Sequence, residues 1–274
     1  MALIALATCG HSPGLTTAAT ALALRWPRPA LLIEADTSKT SSLLPGYLRG
    51  QYPHTVGLDG LAIMSQRGEL HPQNLWHEAI EIGERKHLVP AFARLGAGLG
   101  AGRFWGDLGT VLRSVDSAGV DAILDLGRLA VRDPRLALLE AADVTLIGAG
   151  AALPDIAALT ARIDEQSTQL SSVHSRLDAL GRREHARLLI IDRAKGNYSA
   201  SEISPLAGMP AAGHLPWDPD SAAVWSMGEK RTRKLDRAAY QRSIDALGSE
   251  LRKHITERRA VLSPLQHRPE GIDR

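Results

Sequence analysis

The sequence predicts an α/β protein built on a doubly wound, mostly parallel sheet with helices on both faces. Two observations carry this. Short apolar runs bounded by turn residues alternate with longer amphipathic segments, the pattern of strand, helix, strand units whose strands are covered on both faces. The opening unit, "MALIALAT", then "CGHSPGLTT", then "AATALALRW", passes from an apolar strand through a glycine-bearing turn into an alanine- and leucine-rich helix.

The strands follow from the apolar runs in order: "LIALA" (3–7), "ALLIEA" (30–35), "HLVP" (87–90), "DAILDL" (121–126), "DVTLIGA" (143–149), "RLLIID" (187–192) and "AAGHLP" (211–216). The longer segments between them read as helices over about 15–25, 72–83, 104–118, 133–141, 154–181, 219–228 and 235–258. "LGAGLGAGRFWG" (95–106) has glycines at alternate positions and follows "VPAFAR" instead of opening from a strand, so it reads as a loop and not a dinucleotide fingerprint. The expected organisation is one α/β domain over 1–258, followed by a flexible tail over 259–274 with two prolines and no periodicity.

Composition narrows the function classes. A chain of 274 residues, 44% hydrophobic, can bury a sizeable core. The single Cys9 excludes an internal disulfide framework, and no run of about 18 apolar residues is present, so a cytoplasmic protein is expected. A net charge of +2 is too small to argue for nucleic acid by itself. The ten histidines show no metal-ligand spacing; His71 and His77 lie six apart across an expected helix start, so no metal beyond a nucleotide-bound Mg²⁺ is expected. Ser12 lacks the strand-to-elbow context of a serine hydrolase. Cys9 reads as a buried packing residue ahead of a reactive thiol.

Residues 9–17 carry the chemistry. A phosphate-binding loop presents successive backbone N–H groups and a helix N-terminus to phosphate oxygens, adds a lysine, and places a Ser/Thr hydroxyl on Mg²⁺. Gly10, His11, Ser12, Pro13, Gly14, Leu15, Thr16 and Thr17 supply the backbone and the hydroxyl, but Leu15 stands where the lysine belongs. A hydrogen bond to a charged group is worth about 1.5–3 kcal/mol, so its loss weakens nucleotide binding by about one to two decades, and hydrolysis by more. Taken alone, the stretch also reads as a plain glycine-containing turn.

With the downstream segments, the chain resembles the ParA/MinD group of deviant Walker A ATPases. Their loop K-G-G-x-G-K-T-T aligns with Gly14, Thr16 and Thr17, while both lysine positions are altered, to Gly10 and Leu15. "LLIEAD" is similar to the group's second strand, placing Asp36 on the carboxylate that positions the attacking water. "VDAILDLG" resembles the Walker B strand, with Asp125 on the metal side. "LLIIDRAKGN" resembles a later strand ending in an adenine-contacting asparagine, here Asp192, and "GMPAAGHLPWDPD" puts Pro216, Trp217, Asp218 and Pro219 on the adenine side. The resemblance covers residues 2 to about 228. It implies ATP with Mg²⁺ on Thr16, Asp36 and Asp125, or no cofactor where the lysines are lost, and a homodimer.

The reading that follows is a degenerate ParA/MinD-like protein acting as a dimerising positioning or assembly factor, with weak or absent ATP binding and hydrolysis. By analogy to TadZ/CpaE-like proteins, the partner would be pilus or secretion machinery, and membrane recruitment would come through that partner. Two alternatives stand beside it. One is an active ATPase in which Lys39 or Arg128 substitutes for the missing cation. The other is a ParA-like protein that binds DNA non-specifically through Lys230, Arg231, Arg233 and Lys234. Apolar Leu235, Ile244, Leu247, Leu251 and Ile255 at helical spacing predict that the last helix docks on the body, and the sequence after it lacks the bulky apolar face of a direct membrane anchor.

Overall fold

The computed structural model describes residues 2–11, 14–115, 119–160, 169–193 and 198–262. Eight strands form one sheet in the order β3-β4-β2-β5-β1-β6-β7-β8. They are β1 (Leu3–Thr8), β2 (Ala30–Glu34), β3 (Ile80–Gly83), β4 (Lys86–Val89), β5 (Asp121–Arg128), β6 (Val144–Ala149), β7 (Ala186–Ile191) and β8 (Ala211–Leu215). Every pairing is parallel except β3 with β4 at one edge. The described helices are α1 (Leu15–Arg25), α2 (Leu58–Arg67), α3 (Pro72–His77), α4 (Gly102–Ser114), α5 (Leu153–Thr160), α6 (Gln169–Ala179), α7 (Ala200–Ala207), α8 (Pro219–Ser226), α9 (Arg233–Asp236) and α10 (Ala239–Leu262).

Strand β1 shows why the sheet is covered twice. Its side chains alternate: Leu3, Ala5 and Ala7 join one apolar cluster with Trp105, Leu108 and Leu139, whereas Ile4 and Leu6 join a second with Leu22, Trp225 and Leu247. All six β1 residues are buried. The second cluster includes Leu235, Ile244, Leu247, Leu251 and Ile255, so the C-terminal helix docks on the sheet as its spacing requires.

Three expectations are corrected. The helix expected over 72–83 stops at His77, and Ile80–Gly83 is an edge strand with Ile80 and Ile82 buried and Glu81 outward. Arg85, at φ 56°, closes the tight turn back into β4, which three alternating residues were too short a signal to announce. The segment 133–141 is a 3₁₀ helix (Pro134–Glu140), opened by Asp133 and a proline at its first position. The boundary expected at 258 falls inside α10, which continues to Leu262; residues 263–274 lie outside those described, as does the middle of the helix expected over 154–181. Helices α2 and α7 were not anticipated.

Because β1, β2, β5, β6 and β7 run parallel, their C-terminal ends face the same way, and the loops after them converge there. The loop after β2 closes one side. Gly46 approaches the backbone of Ser226 at the end of α8 so closely that no side chain fits between them.

Candidate functional site

The loop after β1 begins in the core. Cys9 is wholly buried, and burial pushes its thiol up to about 12, so it carries no thiolate at neutral pH. The expected result is that Cys9 reacts with a disulfide reagent only in denaturant; rapid modification of the native protein would contradict its burial. Gly10 lies against α5: a Cβ there would sit 3.0 Å from the Ala158 carbonyl carbon and 3.1 Å from Leu159 N. A lysine at this position would have to displace helix backbone. Ser12 and Pro13 lie outside the described residues. Gly14 takes φ 88°, the left-handed turn that opens α1, with open space on its Cβ side. Leu15 is 2% exposed, with its Cδ1 over Gly148 of β6, 2.8 Å from where a Cβ would stand, and it forms part of the wall of the cleft beside the loop.

The cation enters from elsewhere. Lys39 Nζ donates to Thr16 Oγ1 at 2.8 Å and lies 3.7 Å from Asp36 Oδ2. Two buried carboxylates aim it. Glu34, 1% exposed at the end of β2, accepts from the Ser41 and Ser42 hydroxyls and from the Ser42 and Leu43 N–H groups, folding residues 41–43 back on the strand. Asp36 Oδ1 accepts from Ser38 N at 2.9 Å and Ser38 Oγ at 2.6 Å, a local turn that sets the backbone just before Lys39. Gly127, at φ 59° near the end of β5, lets the strand pass where a side chain would strike the Asp36 carboxyl.

Asp125 completes the group from β5. It is 1% exposed; Oδ1 accepts from Gly127 N at 3.0 Å, while Oδ2 makes no hydrogen bond. Burial raises its pKa to about 6, against the lowering effects of the Lys39 charge and the nearby Thr16 hydroxyl; Asp36 and Glu34 add to the rise. Thr16, Asp36 and Asp125, the residues expected to meet a Mg²⁺, are therefore gathered with an ammonium already among them. Unit charges about 4 Å apart interact by about 4 kcal/mol at an effective dielectric of about 20, and a divalent ion doubles the repulsion from Lys39. Among the described residues no group of three His, Cys, Asp or Glu side chains is placed to hold a metal. With Lys39 where it stands, a Mg²⁺ on these donors would lie against its ammonium charge.

A cleft of about 550 Å³ opens beside this group, lined by Thr16, Thr17, Asp36, Lys39, Leu43 and Met227, among others. A second, of about 220 Å³, lies on the other side of Gly14 and Thr17 and brings Asp192, Pro216, Trp217, Asp218 and Pro219 together. Asp192 Oδ2 pairs with His214 Nε2 at 2.8 Å. Asp218 caps α8 through Ser221 N and Oγ, so it serves the helix before any ligand. Sequence reasoning missed the neighbour of His11: Asp155, 3% exposed in the first turn of α5, accepts from His11 Nδ1 at 2.9 Å and Arg193 at 2.8 Å. It missed Glu34 as well, although an acid inside the apolar "ALLIEA" was a visible signal.

The remaining candidates lie apart. Arg128 is exposed at the end of β5 and does not line the larger cleft. Lys230, Arg231, Arg233 and Lys234 are exposed, but Arg231 is engaged by Asp236 at 2.7 Å and stacks 5.4 Å from the Trp225 ring. His71 caps α3 and His77 ends it. No described helix is long and apolar enough to cross a membrane.

No family model matches the sequence, and no curated protein matches it significantly. Among solved structures, the chain is similar to the septum site-determining protein MinD of Pyrococcus horikoshii in complex with Mg-ADP, at TM-score 0.65 and 14% identity over 92% of this chain and 97% of that one. It is similar to a McdA–ATP complex of Cyanothece at TM-score 0.64 and 16% identity, covering 93% and 96% of the two chains. It also resembles the MinC:MinD cell division complex of Aquifex aeolicus at TM-score 0.63 and 17% identity, covering 100% and 99%. The fold is that of the ParA/MinD ATPases.

Proposed function

We propose that this chain is a positioning or assembly factor of the ParA/MinD type, acting as a homodimer with a protein partner and lacking efficient ATP hydrolysis. The observation that carries the reading is Leu15: the side chain at the phosphate-lysine position is packed into the core over Gly148, and at Gly10 a side chain would press on the α5 backbone. The backbone of Gly14, Thr16 and Thr17 and the start of α1 would still receive phosphate oxygens, with the base toward Asp192 and Pro216. Asp36 would position water if any turnover survives. The solved MinD and McdA structures contain Mg-ADP and ATP, and the MinC:MinD complex contains a protein partner, which supports a nucleotide-linked, partner-binding role; the weakening is inferred from Leu15. A pilus or secretion assembly is the class of partner this reading favours.

Titration calorimetry with ATP and ADP, followed by light scattering of the eluted protein, tests it. The expected result is nucleotide affinity at least about ten-fold weaker than a lysine-bearing loop would give, from the lost charged hydrogen bond, with no measurable turnover. Steady hydrolysis abolished by Asp36→Ala and untouched by Leu15→Ala would instead favour the substitute-cation ATPase, for which the 2.8 Å contact of Lys39 with Thr16 is the supporting observation. DNA binding that falls steeply with salt, and is lost on removing the charges of Lys230, Arg233 and Lys234, would favour the partition reading.

A further inference from the structure

We propose that Lys39 is a tethered cation that takes the place of Mg²⁺ on Thr16, so that this site works without a divalent metal. The inference rests on the ParA/MinD reading only for where a metal would be expected; the residues themselves carry it. Thr16 Oγ1 is the hydroxyl a metal would coordinate, and Lys39 Nζ donates to it at 2.8 Å. The same ammonium lies 3.7 Å from Asp36 Oδ2, and its charge acts on Asp125. One side chain thus meets the hydroxyl and the Asp36 carboxylate, and its charge reaches Asp125.

The delivery of Lys39 is built, not incidental. The Lys39 side chain is 37% exposed, so what places it is the backbone on either side. Here Glu34 binds residues 41–43 from beyond Lys39, and Asp36 binds Ser38 immediately before it, so the chain on both sides of the lysine is fixed by buried or nearly buried carboxylates. Asp125 Oδ2, buried and without a hydrogen-bond partner, marks acceptor capacity that the lysine charge offsets only at a distance. A monovalent ammonium neutralises one carboxylate and needs no dehydration at each use, whereas Mg²⁺ demands octahedral oxygen ligation and gives up its water reluctantly. An anion entering the adjoining cleft would meet Lys39 and the first N–H groups of α1, and it would meet them equally with or without metal.

The test uses divalent metal alone, with no nucleotide, so that it stands apart from any failure of the nucleotide reading. Mn²⁺ binding to the full chain is followed by electron paramagnetic resonance, and thermal unfolding is recorded with and without Mg²⁺. The wild-type protein is expected to show no saturable Mn²⁺ site and no Mg²⁺-dependent change in Tm. Lys39→Ala and Lys39→Met, with circular dichroism confirming the fold, are expected to gain one saturable Mn²⁺ site and a Tm that rises by about 5 °C at saturating Mg²⁺. Adding Asp36→Asn to either variant should abolish the gain. A wild-type Mn²⁺ site that disappears with Asp36→Asn, or folded Lys39 variants that gain no site, would overturn the proposal.

Discussion

Arg135→Ala is expected to destabilise the protein by about 3–5 kcal/mol, the cost of breaking a buried pair from one side. Arg135 and Asp133 are each 3% exposed on the side chain and joined by two hydrogen bonds, at 2.9 and 2.6 Å. The guanidinium also donates to the carbonyls of Ala35, Leu126 and Arg128, so it ties the end of β2 to the end of β5. Removing it takes a donor from two buried carbonyls, one partly buried carbonyl and a buried carboxylate. Burial pushes Asp133 up, but the Arg135 hydrogen bonds and charge, with the Ala130 and Arg135 N–H groups, outweigh it and leave its pKa below the usual value. The sign follows: that contribution is present above the ordinary carboxylate range and is lost as pH falls through the depressed value. Arg135→Lys should rescue little, because one ammonium cannot serve five acceptors arranged for a planar fork. Urea unfolding of both variants checks this, and an Arg135→Lys protein within about 1 kcal/mol of wild type would contradict it. The same tie carries Asp36 and Asp125 at its two ends, so amide exchange over 125–135 should quicken in Arg135→Ala.

The fold was legible because its signal is repeated. Seven separate apolar runs each gave a strand in the observed sheet, and the α1 limits, 15–25, follow from the left-handed Gly14 before it and the proline-rich "WPRP" after it. What escaped was short or depended on distant partners. Strand β3 offers only Ile80, Glu81 and Ile82 as an alternating pattern, too little to outweigh a helix opened by Pro72. The site divides in the same way. Gly14, Thr16, Asp36 and Asp125 stand at strand ends or at the start of α1, so sequence position alone brings them near each other. Lys39 is different: its spacing from Asp36 does not by itself turn it inward, and its approach to Thr16 goes with Glu34 gripping Ser41 and Ser42 across the loop. The link from Asp155 to His11 and Arg193 joins positions 144 and 38 residues apart, which no local pattern encodes.

Asp125→Asn is expected to gain on the wild type by about 2 kcal/mol as pH rises from about 4 to about 7. The folded-state pKa of about 6 lies above the ordinary 3.8, so between these values the native protein holds a proton that the unfolded chain has released. Stability must therefore fall as pH climbs through this window, at about 1.4 kcal/mol for each unit of displacement, and the full cost is in place above the folded value. An asparagine has no proton to lose. Its amide leaves a buried donor short of a partner at every pH, which shifts the whole curve without bending it, so the informative quantity is the change in the gap between variant and wild type. His174 works in the opposite direction: burial, with the Arg183 charge, lowers its pKa to about 4, and its neutral form favours the fold increasingly as pH rises toward 6.5. The two slopes partly cancel in the wild-type curve and separate only in the difference, where His174 is common to both proteins. Chemical denaturation at several pH values supplies that difference, and a gap that stays constant across the window would mean that Asp125 is ionised in the fold throughout. Lys39 sharpens the inference, since its charge is what holds the Asp125 pKa down. In a Lys39→Met background the gap should open at the same pH, set by the unfolded chain, but keep growing to a higher pH and end larger, which would place the ammonium and the buried carboxylate in one electrostatic unit.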